Sequence, residues 1–277
     1  MIRDALGEAL LRMRDTPSLW ITGLYLGALF AGDLLLEVQG NSVLAARIGF
    51  LGLCALPFFI GGSYGAIQDA GTGIRGYLGA GSRYFFRILL AGAVIVSAAL
   101  LTTFLVMVPE ALIWGSLQGP ASLTLVGVSV PFAVFTYFCD TAAVFEDRKV
   151  LDSIRRSVEF VLGNPKGVLV FYLVNLGIGL LALFLSVALW SAAIADRLEP
   201  FVGANQTAFQ NLTAGQLVDL IGIPGVRAGV AIGFFAVMIG GTLLVSFKAC
   251  YFRRAASPSA VTPEVGEFDD KGRWYRY

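Results

Sequence analysis

Six mostly apolar stretches constrain this chain more than any other feature: Pro17 to Leu36, Ile48 to Ile67, Arg87 to Val108, Ser122 to Cys139, Val168 to Ala195 and Gly225 to Phe252. They run from 18 to 28 residues, and roughly 20 suffice for a helix to cross a hydrocarbon core of about 30 Å. No water reaches backbone N–H and C=O groups in that core, so each stretch must pair them internally as a helix. Hydrophobic residues make up 57% of the chain and charged residues only 14%, with a mean hydropathy of +0.76. Soluble domains carry roughly a quarter charged residues. The expected fold is an all-α integral membrane protein with six transmembrane helices, cytoplasmic amphipathic surface helices and three repeated helix-hairpin units. A net charge of +1 gives no reason to expect nucleic acid as a partner. The first stretch follows residues of mixed charge, and no small-residue cleavage site closes a short apolar core, so a cleaved signal peptide is not expected.

Lys and Arg orient the spans. With the N-terminus inside, seventeen of the 20 fall on the cytoplasmic side, and only Arg47, Arg197 and Arg227 fall outside. This positive-inside pattern places both termini in the cytoplasm of a plasma membrane and offers anionic lipid headgroups as partners beside the bilayer itself. Three regions follow: an amphipathic helix over 1–16, a membrane domain over 17–252, and a cytoplasmic disordered tail over 253–277. The membrane domain includes an interfacial helix at 150–163 and an external loop at 196–224.

The charged stretch DTAAVFEDRKVLDSIRRSVEFVLGNPKG, Asp140 to Gly167, joins span four to span five. Leu151, Ile154, Val158, Val161 and Leu162 recur at helical spacing and predict the apolar edge of a surface helix. Asp152 can pair with Arg156, and Arg155 with Glu159, each at i,i+4. Gly163 and Pro165 predict its end. A solvated face that meets anionic headgroups is the favoured reading of the cluster, ahead of a catalytic centre.

Ala9, Leu10, Met13 and Pro17, leading into LWITGLYLGALF, parallel Ser157, Val158, Val161 and Pro165, leading into GVLVFYLVNLGIGL, at a constant offset of 148. IRGYLGAGSRYFFRILLAG repeats the theme less clearly, which predicts three units of surface helix, outward span and returning span. A span ending in an acidic residue, then VFED, VLDSIRRSVEFVLGN and a further span, resembles the uncharacterised multi-pass proteins of archaea and bacteria related to the membrane domain of glycerophosphodiester phosphodiesterases. The resemblance covers about Ala133 to Leu181. It implies a six-helix membrane fold and supplies no catalytic residues; the soluble phosphodiesterase barrel has no counterpart in this chain.

GGSYG, Gly61 to Gly65, matches the pattern of a serine nucleophile elbow. That chemistry needs a base, and the chain has no histidine. A Ser63–Lys248 pair is the remaining candidate, and helix packing is the stronger reading: Gly61 and Gly65, Gly23 and Gly27, and Gly225, Gly229 and Gly233 form small-residue faces. Cys54, Cys139 and Cys250 lie on separate spans without metal-ligand spacing, so no metal or other cofactor is expected.

Ionisable residues at membrane depth are functional pointers, because a charge there costs several kcal/mol unless it is paired or hydrated. Asp33 lies in the outer part of span one; Asp69, Asp140 and Lys248 sit where their spans meet the cytoplasm. With Arg155 and Arg156 they form the candidate functional set. Asp33 is a cation or proton site in a transporter, or it reaches the outer interface or pairs with Arg47; the second reading is favoured. Asn205 and Asn211 head formal glycosylation triplets, and Thr213 to Gln216 is a capping box for a short helix through Ile221. The tail ends in GRWYRY, where Trp274, Tyr275 and Tyr277 could dock on a protein partner or the membrane.

Three function classes remain open. A non-enzymatic protein of membrane or envelope organisation comes first, a small-solute or lipid transporter using Asp33 second, and an intramembrane serine hydrolase last. Cysteine-accessibility labelling should place a Gly203→Cys probe outside and a Ser257→Cys probe inside; labelling of both from one side would refute six spans.

Overall fold

The computed structural model describes residues 1–69, 73–114, 120–198, 214–256, 266–268 and 274–276. Gly203, Asn205, Asn211, Thr213 and Ser257, as well as the side chains of the C-terminal aromatics, lie outside what is described. Helix α1, Ile2–Asp15, leads through a 3-10 turn, Pro17–Leu19, into α2, Trp20–Val38. There follow α3 (Ser42–Gln68), α4 (Gly73–Trp114), α5 (Pro120–Thr136), α6 (Cys139–Phe145), α7 (Val150–Gly163), α8 (Pro165–Ala193), the short α9 (Ala195–Leu198) and α10 (Ala214–Ala256). Six spans in these helices are long and apolar enough to cross a bilayer, and the chain is a multi-pass membrane protein. They coincide with the six stretches read from the sequence.

Span four is shared by α5 and α6, with a turn at Tyr137 and Phe138 between them. Helix α10 bends at Gly222, where φ 64 and ψ 177 demand a residue without a side chain. The backbone of the tail forms a two-stranded antiparallel ladder, Gly266–Phe268 with Trp274–Arg276, where composition suggests an unstructured segment.

Helix α3 packs on α2 and on α4, α10 packs on α2 and on α8, and α5 lies against α4. Glycines permit these approaches. A methyl group on Gly23 would overlap the Thr242 hydroxyl and the Met238 carbonyl, and one on Gly27 would lie 2.7 Å from the Phe234 carbonyl. Gly61 and Gly65 face Tyr84 and Ala80 of α4, while Gly225, Gly229 and Gly233 face Ile194, Trp190 and Phe30. All seven small-residue positions thus lie at helix contacts, where close backbone approach maximises van der Waals attraction in lipid.

The packed core is concentrated at one end of the bundle. There Phe138, Phe160, Phe171, Phe247, Tyr251 and Phe252 form a continuous aromatic cluster that joins the span-four turn to α7, α8 and α10. Glu8 of α1 binds Arg253 and Arg254 at this end, the latter at 2.7 Å, and Arg253 also donates to the Ile67 carbonyl that ends α3. Toward the other end the spans expose their leucines, as at Leu100, Leu101, Leu181 and Leu185. Lipid chains are as apolar as leucine, so this exposure carries no hydrophobic penalty in a bilayer.

Helix α7 occupies the predicted 150–163; it buries Ser153, Ser157, Phe160 and Val161 and leaves Leu151 and Leu162 of the predicted apolar edge exposed. Its inward face is selected by polar fit to the span-four turn as well as by hydrophobicity. Two other sequence expectations are corrected. Arg156 pairs with Glu146 at 2.9 Å instead of Asp152, because the loop before α7 folds the Glu146 carboxylate back over it. No surface helix separates from the span in the middle segment, since α4 runs unbroken from Gly73. In contrast, α1 and α7 are both 14 residues long, with bounds offset by 148 and a proline two residues after each.

Overpacking a tight helix contact costs about 1 to 3 kcal/mol. Gly23→Leu should therefore lower the thermal midpoint in detergent, while Gly79→Leu, at a position with nothing within 4 Å of the added carbon, should leave it near the parent value.

Candidate functional site

The turn in span four creates a problem that the surrounding side chains solve. Backbone groups released inside a membrane span must find other partners. Ser157 of α7 accepts the Phe138 N–H at 3.0 Å and donates its hydroxyl to the Phe135 carbonyl at 2.8 Å. Tyr172 of α8 donates to the Val134 carbonyl at 2.7 Å. Thr141 donates to the Phe138 carbonyl, also at 2.7 Å. The turn is therefore held from two neighbouring helices and from its own continuation.

Directly after the turn stands Asp140, buried at 7% exposure. One carboxylate oxygen accepts the Thr141 N–H at 2.7 Å; the other meets Lys248 Nζ at 2.7 Å and the Tyr64 hydroxyl at 3.1 Å. Lys248, 8% exposed on α10, also lies 4.0 Å from the ring centroid of Tyr137. An ammonium over an aromatic face is attracted by the ring quadrupole. Four elements thus meet at one buried ion pair: α3 through Tyr64, the turn through Tyr137, α6 through Asp140 and α10 through Lys248. Burial of both charges is tolerable because the Asp140 carboxylate also accepts two further hydrogen bonds and the Lys248 ammonium also lies over the Tyr137 ring.

Of the candidate residues, the structure brings Asp140 and Lys248 together across 108 positions of sequence. Asp69 is exposed at the end of α3. Arg155 pairs with Glu159 at 2.8 Å on the outer face of α7, as its spacing predicts, and contributes little there. Arg156 braces the loop before α7 through Glu146, which also takes Arg148 at 3.2 Å. Asp33 is half-buried on α2 beside Gly49 of α3 and forms no ion pair with Arg47.

Ser63 is 1% exposed and bonds to the Thr22 hydroxyl at 2.6 Å. Thr22 in turn meets the Tyr77 hydroxyl at 2.8 Å, and Tyr77 donates to the Phe59 carbonyl at 3.0 Å. Ser63 and Lys248 are therefore committed to different partners, so the geometry for a serine–lysine dyad is not assembled. The three cysteines are free thiols, and among the described residues no group of His, Cys, Asp or Glu is placed to hold a metal ion.

Sequence reading missed Tyr64, Tyr137, Tyr172 and Ser157, which look like ordinary amphipathic or packing residues until the turn is seen. It also missed Glu110 of α4, which accepts the Thr124 hydroxyl of α5 at 2.5 Å. An acidic residue two positions beyond the assigned end of span three was the available signal.

Between α8 and the α2–α10 pair lie two cavities of about 370 and 400 Å³ that share Phe30, Ser186 and Gly233. Their remaining walls are apolar, so the crevice suits hydrocarbon better than a hydrated solute.

Removing one partner of a buried pair leaves an uncompensated charge, at a cost of about 3 to 5 kcal/mol. Lys248→Met and Asp140→Leu should each lower the thermal midpoint strongly, and the double variant should recover much of the loss. A double variant as unstable as the sum of the two singles would show that the pair is not the source of the effect.

No protein-family model, curated protein or solved structure matches this chain.

Proposed function

We propose that this is a non-enzymatic membrane protein whose basic end binds anionic lipid headgroups, and that it serves in membrane or envelope organisation. One observation carries the reading. Arg3, Arg14, Arg75, Lys149 and Lys166 are exposed, and none has a carboxylate within ion-pair distance among the described residues. They surround the end where α1 and α7 lie, and these two helices expose Leu10, Leu11, Leu151 and Leu162 beside the charges. Basic residues near an anionic surface contribute about 1 kcal/mol each, and apolar side chains on such helices enter the headgroup boundary.

The charge asymmetry supports a cytoplasmic setting for this end, with both termini inside a cell membrane. Matching lengths and spacing of α1–α2 and α7–α8 support an origin of these parts as repeated units. A resemblance of Ala133 to Leu181 to the uncharacterised multi-pass proteins related to the membrane domain of glycerophosphodiester phosphodiesterases would fit a scaffold without catalytic groups. A lipid transporter is the second reading, favoured by the apolar crevice between α8 and α10.

A ligand that binds the native state alone raises its apparent stability. Phosphatidylglycerol added to the detergent-purified protein should raise the thermal midpoint more than phosphatidylcholine does, and salt should weaken the difference. Replacing Arg3, Arg14, Lys149 and Lys166 together by Gln should abolish the preference. Equal stabilisation by both lipids would sink the proposal.

A further inference from the structure

We infer that α7 is a latch that holds the span-four turn closed and thereby seals the Asp140–Lys248 pair. In an uninterrupted helix the Phe138 N–H would bond to the Val134 carbonyl, and the Phe135 carbonyl would receive the Cys139 N–H. Here the Val134 carbonyl is taken by Tyr172, and Ser157 bonds both the Phe138 N–H and the Phe135 carbonyl. A single fully buried hydroxyl, on a helix outside the six spans, therefore bridges the two sides of the turn. Withdrawing α7 would leave a donor and an acceptor unpaired in an apolar setting, so the turn and α7 move together.

The turn carries the groups that enclose the ion pair. Tyr137 supplies the ring beneath Lys248, and Asp140 stands in the first turn of α6 just beyond. Displacing the turn shifts both at once. Helix α7 itself is held by the Ser157 bonds, the Arg156–Glu146 pair and the Phe160 ring against Phe138, Tyr251 and Phe252. Among the described residues, its other face leaves Leu151 and Leu162 exposed. Proteins open locally at free energies below that of global unfolding. The latch stands on this geometry and does not depend on the lipid reading.

Ser153 provides an internal control. It is as buried as Ser157 and lies one turn earlier on the same face, but its hydroxyl bonds only to the Val150 carbonyl of its own helix. Cys139, next to the turn, and Cys250, in the same core on α10, are native reporters, both buried. The full-length protein in lipid vesicles is treated with N-ethylmaleimide, and modification of each cysteine is followed by peptide mass spectrometry. Ser157→Ala should speed modification of Cys139 roughly five- to thirtyfold, the change in opening equilibrium for the loss of such a strut. Cys250 should remain as slow as in the parent, and Lys248 should become acylated by a succinimidyl ester in parallel with Cys139. Ser153→Ala should change none of these rates. The latch is overturned if Ser157→Ala leaves Cys139 protected, if Ser153→Ala accelerates it equally, or if Cys139 and Cys250 accelerate together, which would report loss of the whole core.

Discussion

The buried contact between Asp140 and Lys248 is the point on which the packed end of this bundle depends. A charge removed from water stays ionised only if another charge and several dipoles replace the lost hydration. Here the replacement comes from Tyr64 of span two and from the Thr141 amide and the face of Tyr137 in span four. The ion pair therefore ties span two, span four and span six to one another. The aromatic rings of Phe138, Phe171 and Tyr251 fill the space beside it and add α8 to the same assembly.

Span four shows why the pair is placed where it is. A continuous helix would satisfy its own backbone and need nothing from α7 or α8. The turn at Tyr137 and Phe138 gives up that independence, and Ser157 and Tyr172 supply what the ladder loses. A broken span in a membrane is tolerated where it is buried in protein, and here the break lies inside the aromatic cluster. Helix α7, the turn and the ion pair are thus joined by one connected set of contacts.

The opposite half of the bundle follows another logic. Spans three and five expose long rows of leucine there, and an apolar crevice separates α8 from α2 and α10. In water such a surface would aggregate, but in hydrocarbon it is neutral, and close contact is made only where glycine lets two backbones approach. Gly23 and Gly27 bring α2 onto α10, and Gly61 and Gly65 bring α3 onto α4. Dense packing at the charged end and exposed leucines at the other are consequences of the same solvent.

Hydropathy alone located the six spans, because a hydrocarbon core sorts residues by a one-dimensional property that needs no knowledge of neighbours. Local signals were equally legible in Gly163 and Pro165, which bound α7, and in the paired glycines, whose spacing places them on one helix face. The ionisable residues Asp140 and Lys248 could be singled out by depth, but their union could not, since 108 residues separate them and many pairings satisfy the same charges. The part Ser157 plays on α7 was hidden for a related reason: periodicity ranks side chains by apolarity, and Ser157 is buried for its hydroxyl, which has value only against a turn in another helix. The sequence determined which segments enter the membrane and where they stop. Only the tertiary structure decided which helices touch, which backbone groups were left to be satisfied, and which side chains met them, because hydrogen bonds and ion pairs depend on distances of a few ångströms that a linear order of residues does not contain.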